Sequence, residues 1–209
     1  MYVSRAVFVS WSLILMVGLL PAATPKLIVC YGDSITAGYG LEPGQSFPTA
    51  LQHDLDAARR IPAKVVNRGT SGATTKDAVA GIQSVLNLHP DVVIVEFGGN
   101  DGLRGLPLEA TRRNLDQVLT ALEAAHVRVL LAGITLPPNY GAEYIAEFQK
   151  IFRTLAAKHR TAFVPMLYKD MVHVPGTIQP DGIHPTAKGA GIIAKTLMPG
   201  LRPLLGSRF

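Results

Sequence analysis

The stretch Asp91-Val92-Val93-Ile94-Val95-Glu96-Phe97 constrains the fold of this chain more than any other feature of the sequence. It follows Pro90 directly, and its run of apolar residues is almost unbroken. A strand that is apolar on both sides is typical of the centre of a parallel sheet, because helices cover both of its faces there. We therefore expect an α/β fold built around this strand.

The rest of the chain alternates strand and helix patterns around this segment. Apolar stretches flanked by turn-forming residues predict four more strands, at 27–31, 63–67, 127–132 and 161–164. Amphipathic patterns predict five helices; four of them are expected to begin near Ser46, Thr74, Leu108 and Thr186. This alternation predicts a flavodoxin-like three-layer α/β/α sandwich, with five parallel strands wound right-handed. A length of 209 residues fits one such domain.

The N-terminus has the layout of a secretory signal. Arg5 supplies a positive charge, residues 6–20 are almost wholly apolar, and small residues follow up to Pro25. An apolar stretch of this length is shorter than the roughly 20 residues that a membrane-spanning helix needs. We expect residues 1–24 to be a signal peptide and residues 25–209 a single domain that is periplasmic or secreted. Retention of the apolar segment as a membrane anchor is the alternative.

Charge and cysteine content exclude several classes of function. The formal charge is +5, but the basic residues form no dense run, so no nucleic-acid partner is indicated. Cys30 is the only cysteine, so the chain has no internal disulfide, and it lies within the first predicted strand, where a thiol packs as a small apolar group. The glycine loop at 38–44 lacks the third glycine of a dinucleotide-binding fingerprint.

Polar turns follow several of the predicted strands. The first is Gly32-Asp33-Ser34, the next two contain Ser71-Gly72 and Gly99-Asn100-Asp101, and Asp181-Gly182-Ile183-His184 precedes the last helix. Turns after parallel strands gather along one edge of the sheet, which is where ligands bind. Each turn also has an ordinary structural explanation, such as a helix cap at Asp33-Ser34 or a simple turn at Asp181-Gly182.

Together these turns predict a serine nucleophile with its supporting groups. Ser34 presents a hydroxyl at the end of a strand, but a serine needs a neighbouring base before it attacks a carbonyl group. Asp181 and His184 are three residues apart in a turn-like stretch, so the carboxylate can hold the imidazole in the orientation that a base requires.

The full set of turns resembles the four sequence blocks of the SGNH hydrolases, also called the GDSL esterase/lipase family. Two longer stretches, Gly98–Gly105 and Asp181–Pro185, are similar to the branch that contains the periplasmic acyl-thioesterase/lysophospholipase and related arylesterases. A third stretch, Leu136-Pro137-Pro138-Asn139-Tyr140-Gly141, is similar to the same branch. The resemblance extends from about Lys26 to the last helix.

This resemblance implies a role for each matching residue. Ser34 would be the nucleophile, His184 the general base and then acid, and Asp181 the group that orients His184. The oxyanion hole would consist of the Ser34 and Gly72 backbone N–H groups and the Asn100 side-chain amide. The reaction would be hydrolysis of esters or thioesters through an acyl-enzyme, with no metal or organic cofactor. The Gly-x-Ser-x-Gly elbow of α/β-hydrolases is absent, because Thr36 stands at the position of its second glycine.

Apolar loop residues near these turns predict an acyl-binding pocket. We expect Leu103, Leu136, Pro137 and Tyr140 to contact substrate, with Leu106, Leu108, Pro138, Met166, Leu167, Tyr168, Met171 and Val172 as further candidates for its walls. The ordinary alternative is that these residues only cover the ends of the core. The expected partner is a small ester, thioester or lipid, with at most transient contact with membrane lipid, and a monomer is expected.

Three other functions are compatible with parts of the pattern. A carbohydrate or peptidoglycan O-acetylesterase would use the same catalytic residues. A flavodoxin-like binding module would share the fold, although the chain has no phosphate loop of the Gly-x-x-x-x-Gly-Lys type. A secreted structural or adhesion protein on an inactive hydrolase scaffold would lack part of the catalytic set.

Overall fold

A computed structural model describes residues 24–58 and 62–206 of the chain. The expected signal peptide or anchor lies almost entirely outside these described residues. None of the helices in the two described ranges combines the length and the hydropathy that crossing a bilayer requires.

The described residues form one five-stranded sheet in which all strands are parallel. The strands are β1 (Lys26–Gly32), β2 (Ala63–Gly69), β3 (Val92–Glu96), β4 (Arg128–Ala132) and β5 (Ala162–Val164). Their order across the sheet is β2-β1-β3-β4-β5, which places β3 in the middle. The prediction of a parallel α/β sheet centred on this strand is therefore confirmed.

Five long helices cover the two faces of the sheet. They are α2 (Phe47–Ala58), α3 (Thr75–Leu86), α5 (Leu108–Ala124), α6 (Ala142–Lys158) and α7 (Ala187–Leu205). Helix α2 packs on α7, whereas α3 packs on α5 and α5 packs on α6. These contacts give the two helical layers of a three-layer sandwich.

Two short helices occur at polar turns; a helix cap at Asp33-Ser34 was one expected explanation of the first turn, whereas no helix was expected at the second. Helix α1 (Ser34–Ala37) follows β1, and α4 (Gly99–Leu103) follows β3. The side chain of Asp33 caps α1 by accepting a hydrogen bond from the Ile35 N–H. Gly98 precedes α4 with a φ of 113°, a left-handed conformation that favours glycine. Strand-to-helix turns of this tightness place the first residues of each helix at the sheet edge.

The core lies on both faces of β3, whose five residues are all buried. Helix α2 buries Phe47, Leu51 and Leu55, which lie on one face at helical spacing. Helix α3 buries Thr75, Ala78 and Val85. The buried side of α3 thus includes small residues, which allow close packing.

Two glycines of α7 provide a matched test of how this helix packs. At Gly189 an added Cβ would collide with the carbonyl oxygen of Thr177, which accepts a hydrogen bond from the Thr186 N–H. At Gly191 an added Cβ would meet open space. We expect Gly189→Ala to lower the free energy of unfolding by about 1–3 kcal/mol through overpacking. Gly191→Ala is expected to raise it by about 0.5–1 kcal/mol, because glycine is a poor helix former.

Urea unfolding of the two variants and the parent protein measures both effects. A shift of the same sign in both variants would contradict the packing described for the start of α7.

Candidate active site

Ser34 lies at the carboxyl end of β1 as the first residue of α1. The chain turns there because Gly32 ends the strand and the Asp33 side chain caps the new helix at 3.0 Å from the Ile35 nitrogen. Ser34 is 9% exposed. Its backbone N–H donates to no acceptor among residues 24–58 and 62–206, as is usual for the first N–H groups of a helix. Strand and helix together thus present one hydroxyl and one available donor.

A continuous chain of hydrogen bonds connects Ser34 with the loop before α7. The Nε2 atom of His184 lies 2.9 Å from the Ser34 Oγ, and its Nδ1 atom lies 2.6 Å from the Asp181 Oδ2. The other oxygen of Asp181 accepts the backbone N–H groups of Ile183 at 2.9 Å and His184 at 3.0 Å. The structure therefore brings together the three side chains that the sequence proposed, in the order serine, imidazole, carboxylate.

Asp181 is held in its ionised form by the groups around it. Partial burial opposes ionisation, but hydrogen bonds from the Ile183 N–H and from His184 outweigh it and lower the pKa of Asp181 to about 2. A carboxylate that is ionised at neutral pH fixes the Nδ1 proton of His184, so that Nε2 is available toward Ser34.

The loop that carries His184 is fastened to the segment after α1 by Gln179. The Gln179 side-chain amide donates to the carbonyl oxygens of Tyr39 at 2.8 Å and Pro185 at 2.9 Å, and its backbone N–H donates to the His184 carbonyl at 2.8 Å. The Tyr39 ring lies 4.6 Å from the His184 ring, centre to centre, and Tyr39 is 54% exposed. Sequence reasoning missed both Gln179 and Tyr39.

Hydrogen bonds link Asn100 to the turn that contains Gly72. The Asn100 Nδ2 donates to the carbonyl oxygen of Ala73 at 2.9 Å and to the Asp33 Oδ2 at 3.3 Å. Arg104 donates to the Gly72 carbonyl at 3.0 Å and to the Asn100 Oδ1 at 3.4 Å. Gly72 has a φ of 81°, and its own N–H donates to no acceptor in the described ranges. Arg104 was not singled out in the sequence.

Asp101 fastens α4 to the two helices beside it. Its buried carboxylate accepts the Thr75 N–H at 2.9 Å, the Thr75 hydroxyl at 2.5 Å and the Thr111 hydroxyl at 3.4 Å. These bonds join the start of α4 to α3 and α5, and they fix the backbone from which Asn100 projects. The role of this aspartate in the structure is to hold its turn.

A cavity of about 420 Å³ opens beside Ser34 and His184. Its walls are mostly apolar. They include Leu103, Leu136 and Pro137, three of the residues that we expected from the sequence to contact substrate. Ile134, Pro138, Tyr168 and Ile183 also line it; of these, the sequence had named only Pro138 and Tyr168. A pocket of this size and polarity can hold an acyl chain.

Tyr140 is the fourth residue that we expect to contact substrate. It is absent from the cavity wall, and its hydroxyl donates to the Leu103 carbonyl at 2.8 Å from a 3₁₀ turn at Pro138–Tyr140. Tyr140 therefore supports the wall from behind. Leu106, Leu108, Met166, Leu167, Met171 and Val172 also lie outside the wall.

Two buried carboxyl groups, Asp33 and Glu96, lie behind the nucleophile, and only Asp33 belongs to one of the polar turns named from the sequence. Asp33 is 1% exposed, and burial raises its pKa to about 6. Glu96 is also 1% exposed, and burial together with the charge of Asp33 raises its pKa well above the ordinary value. Glu96 is the last residue of an apolar strand, and a glutamate at that position in the sequence indicates only where the strand ends.

The described residues contain no cluster of three or more histidine, cysteine, aspartate or glutamate side chains arranged to hold a metal ion. Cys30 is buried inside β1, and burial raises the pKa of its thiol far above the usual range.

Comparison with known proteins agrees with this geometry. The model of the GDSL-like lipase/acylhydrolase family matches residues 30–192. The chain is 38% identical to esterase TesA of Pseudomonas aeruginosa over 202 residues, which are 96% of this chain and 100% of that protein. It is 34% identical to thioesterase 1/protease 1/lysophospholipase L1 of Escherichia coli strain K12 over 185 residues, 88% of this chain and 87% of that protein. A crystal structure of TesA superposes with a TM-score of 0.82 at 36% identity, covering 86% of this chain and 99% of that structure.

Proposed function

This chain is a carboxylic ester hydrolase of the GDSL-like lipase/acylhydrolase family, and we propose that it cleaves esters and thioesters through an acyl-enzyme formed on Ser34. The observation that carries the proposal is the hydrogen-bonded chain from Ser34 through His184 to Asp181 at the mouth of an apolar cavity. Membership in a family of hydrolases removes the binding-module and inactive-scaffold alternatives.

In the first half of the reaction, Ser34 attacks the carbonyl carbon of the substrate. The Nε2 of His184 accepts the hydroxyl proton as the new bond forms, and the Asp181 carboxylate stabilises the resulting imidazolium. Collapse of the tetrahedral intermediate breaks the bond to the leaving group, which takes that proton from His184. An alcohol or a thiol departs, and the acyl group remains on Ser34.

In the second half, water replaces the leaving group. His184 accepts a proton from the water as the water attacks the acyl-enzyme, then returns a proton to the Ser34 oxygen as the carboxylic acid departs. Both tetrahedral intermediates carry a negative oxygen. Its proposed donors are the Ser34 and Gly72 N–H groups and the Asn100 amide, which stabilise charge that develops only during the reaction.

The proposed destination of the enzyme is the periplasm or the medium. Its support is the sequence of residues 1–24, with a basic start, an apolar centre and small residues before the domain at 25–209. N-terminal sequencing of the mature protein tests this, and full-length protein retained in the membrane would favour the anchor instead.

We expect Ser34→Ala to reduce kcat by about six orders of magnitude, because the nucleophile is lost while the fold is kept. A fluorophosphonate probe should label the parent protein and the control variant Ser84→Ala, whose serine lies on the exposed side of α3. Mass spectrometry of the peptides locates the label. Labelling that survives in Ser34→Ala would refute the assignment of the nucleophile.

The pH dependence of kcat/KM distinguishes the acidic groups. Since the pKa of Asp181 is about 2, this carboxylate stays ionised above about pH 4. Burial raises the pKa of Asp33 to about 6. We therefore expect kcat/KM to fall on acidification toward that pH, because Asp33 then loses the charge that holds the Asn100 amide. A profile of kcat/KM against pH measures this, and a rate that stays constant down to pH 5 would contradict it.

Asp181→Asn should lower the plateau rate by about 10⁴-fold, because the wrong imidazole tautomer is then favoured. Asp56→Asn, on the exposed side of α2, is the control and should retain the full rate. A near-normal rate in Asp181→Asn would mean that another group orients His184.

The cavity predicts how rate depends on acyl-chain length. Each methylene buried in it contributes up to about 0.8 kcal/mol, roughly fourfold in kcat/KM, so p-nitrophenyl esters should improve from acetyl to medium chains. Leu103→Phe narrows the cavity and should shift the optimum to shorter chains, whereas Leu106→Phe, outside the wall, should not. Steep preference for acetyl esters in the parent protein would instead support the O-acetylesterase.

A further inference from the structure

We infer that Glu96 is a positioning residue of this hydrolase: its carboxyl group holds the Thr36 hydroxyl and the Asp33 N–H at the start of the helix that carries Ser34, and Asp33 in turn orients the Asn100 amide. The inference rests on the proposed roles of Ser34 and Asn100. It assigns a task to a buried acid that the reaction steps above do not use.

The position of Glu96 is fixed by contacts on one side of its carboxyl group. The Thr36 hydroxyl lies 2.7 Å from its Oε2, and the Asp33 backbone N–H lies 3.4 Å from the same atom. Its other oxygen, Oε1, is buried and accepts no hydrogen bond from any of the described residues. A buried oxygen without a donor is costly for a carboxylate, whereas a carboxylic acid needs fewer donors.

The glycine at the end of β1 makes room for this group. Gly32 pairs with Glu96 in the register of β1 and β3. An added Cβ at Gly32 would lie 2.6 Å from the Glu96 Oε2 and would collide with the Thr36 hydroxyl. The space that a side chain would fill at position 32 is therefore taken by the carboxyl of Glu96, directly beneath the start of α1.

The surroundings of Glu96 favour its protonated form. Burial and the negative charge of Asp33 both raise the pKa of Glu96. Cys30 and Tyr168, two other titratable neighbours, have pKa values that are themselves raised by burial and by Glu96, so neither supplies a positive charge. His184 acts on Asp33 and lowers the pKa of Asp33 against the effect of burial. These effects favour a Glu96 acid beside an Asp33 carboxylate over a pair of carboxylates.

Asp33 connects Glu96 with the active site. A hydrogen bond from Glu96 is one of the interactions that lower the pKa of Asp33. The remaining contacts of the Asp33 carboxylate are the Ile35 N–H at 3.0 Å, within α1, and the Asn100 Nδ2 at 3.3 Å. If Glu96 were also ionised, two negative charges would lie behind the donors that must stabilise an oxyanion.

Two substitutions at position 96 separate hydrogen bonding from space filling. Glu96→Gln keeps a donor for Asp33 and an acceptor for Thr36, and we expect it to keep kcat within about threefold. Glu96→Met has a similar length but no hydrogen bonds, and we expect kcat to fall about 10- to 100-fold with KM nearly unchanged, less than the loss of an oxyanion donor itself. Equal kcat in parent and Met variant would overturn the inference, as would a loss confined to KM.

A double-mutant cycle with Asn100→Ala tests whether the effect of Glu96 on kcat passes through Asn100. If Glu96 acts through Asp33 on Asn100, the Met substitution should cost much less in the Asn100→Ala background than alone. Full additivity would show that Glu96 does not act through Asn100. Asn100→Ala alone tests the proposed oxyanion hole: an unchanged kcat there would refute that part of the function, whatever Glu96 does.

Two further measurements keep the inference testable if the Met variant fails to fold. Thr36→Val removes the hydroxyl at 2.7 Å from Glu96 and should lower kcat with KM kept, again non-additively with Asn100→Ala. Infrared difference spectra between parent and Glu96→Gln should show the C=O band of a protonated carboxylic acid at neutral pH. Absence of that band would refute the neutral acid.

Thermal unfolding at different pH values also tests whether Glu96 is protonated in the folded protein. An acid whose pKa is higher in the folded state makes stability fall as pH rises above its unfolded pKa, about 4.3. The melting temperature of Glu96→Gln should therefore exceed that of the parent by a margin that grows with pH. A constant margin would mean that Glu96 is ionised in the folded protein.

Discussion

The hydrogen bond of 2.9 Å between Ser34 and His184 is the interaction on which the rest of this structure converges. It joins the first turn of the domain to the last loop before α7, so it exists only when the whole sheet is assembled. Parallel strands make this possible because they deliver their carboxyl ends to one edge. The outer helices bury the apolar residues that keep this edge in place.

Small residues near the carboxyl edge of the sheet allow close packing there. Gly32 leaves space for the carboxyl of Glu96, Gly98 admits the tight entry into α4, and Gly189 lets α7 begin against the loop that carries His184. Gly32 and Gly189 let backbone or a polar group come closer than a side chain would allow, and Gly98 lies close to the rings of Phe148 and Phe152. Polar groups packed this closely need partners, and Asp33, Asp101 and Gln179 are the partners that the described contacts supply.

The sequence predicted the strands and the long helices well, because periodic apolar patterns are local. It also predicted which polar side chains meet, because the resemblance to SGNH hydrolases was carried by short motifs. Contacts between distant segments gave no local signal: Gln179 and Tyr39 are 140 residues apart, and Glu96 looked like the end of an apolar strand. For a loop residue such as Tyr140, composition does not indicate whether the side chain faces a cavity or supports its wall.

Gln179 has a consequence for how the protein responds to heat. The segment that holds Asp181 and His184 contains no strand of the sheet, and hydrogen bonds fasten it, among them those of the Gln179 amide and the Thr177 carbonyl. Loop segments commonly open at a lower free energy than buried strands do. We therefore expect heating to separate His184 from Ser34 by local opening before the sheet and its helices unfold.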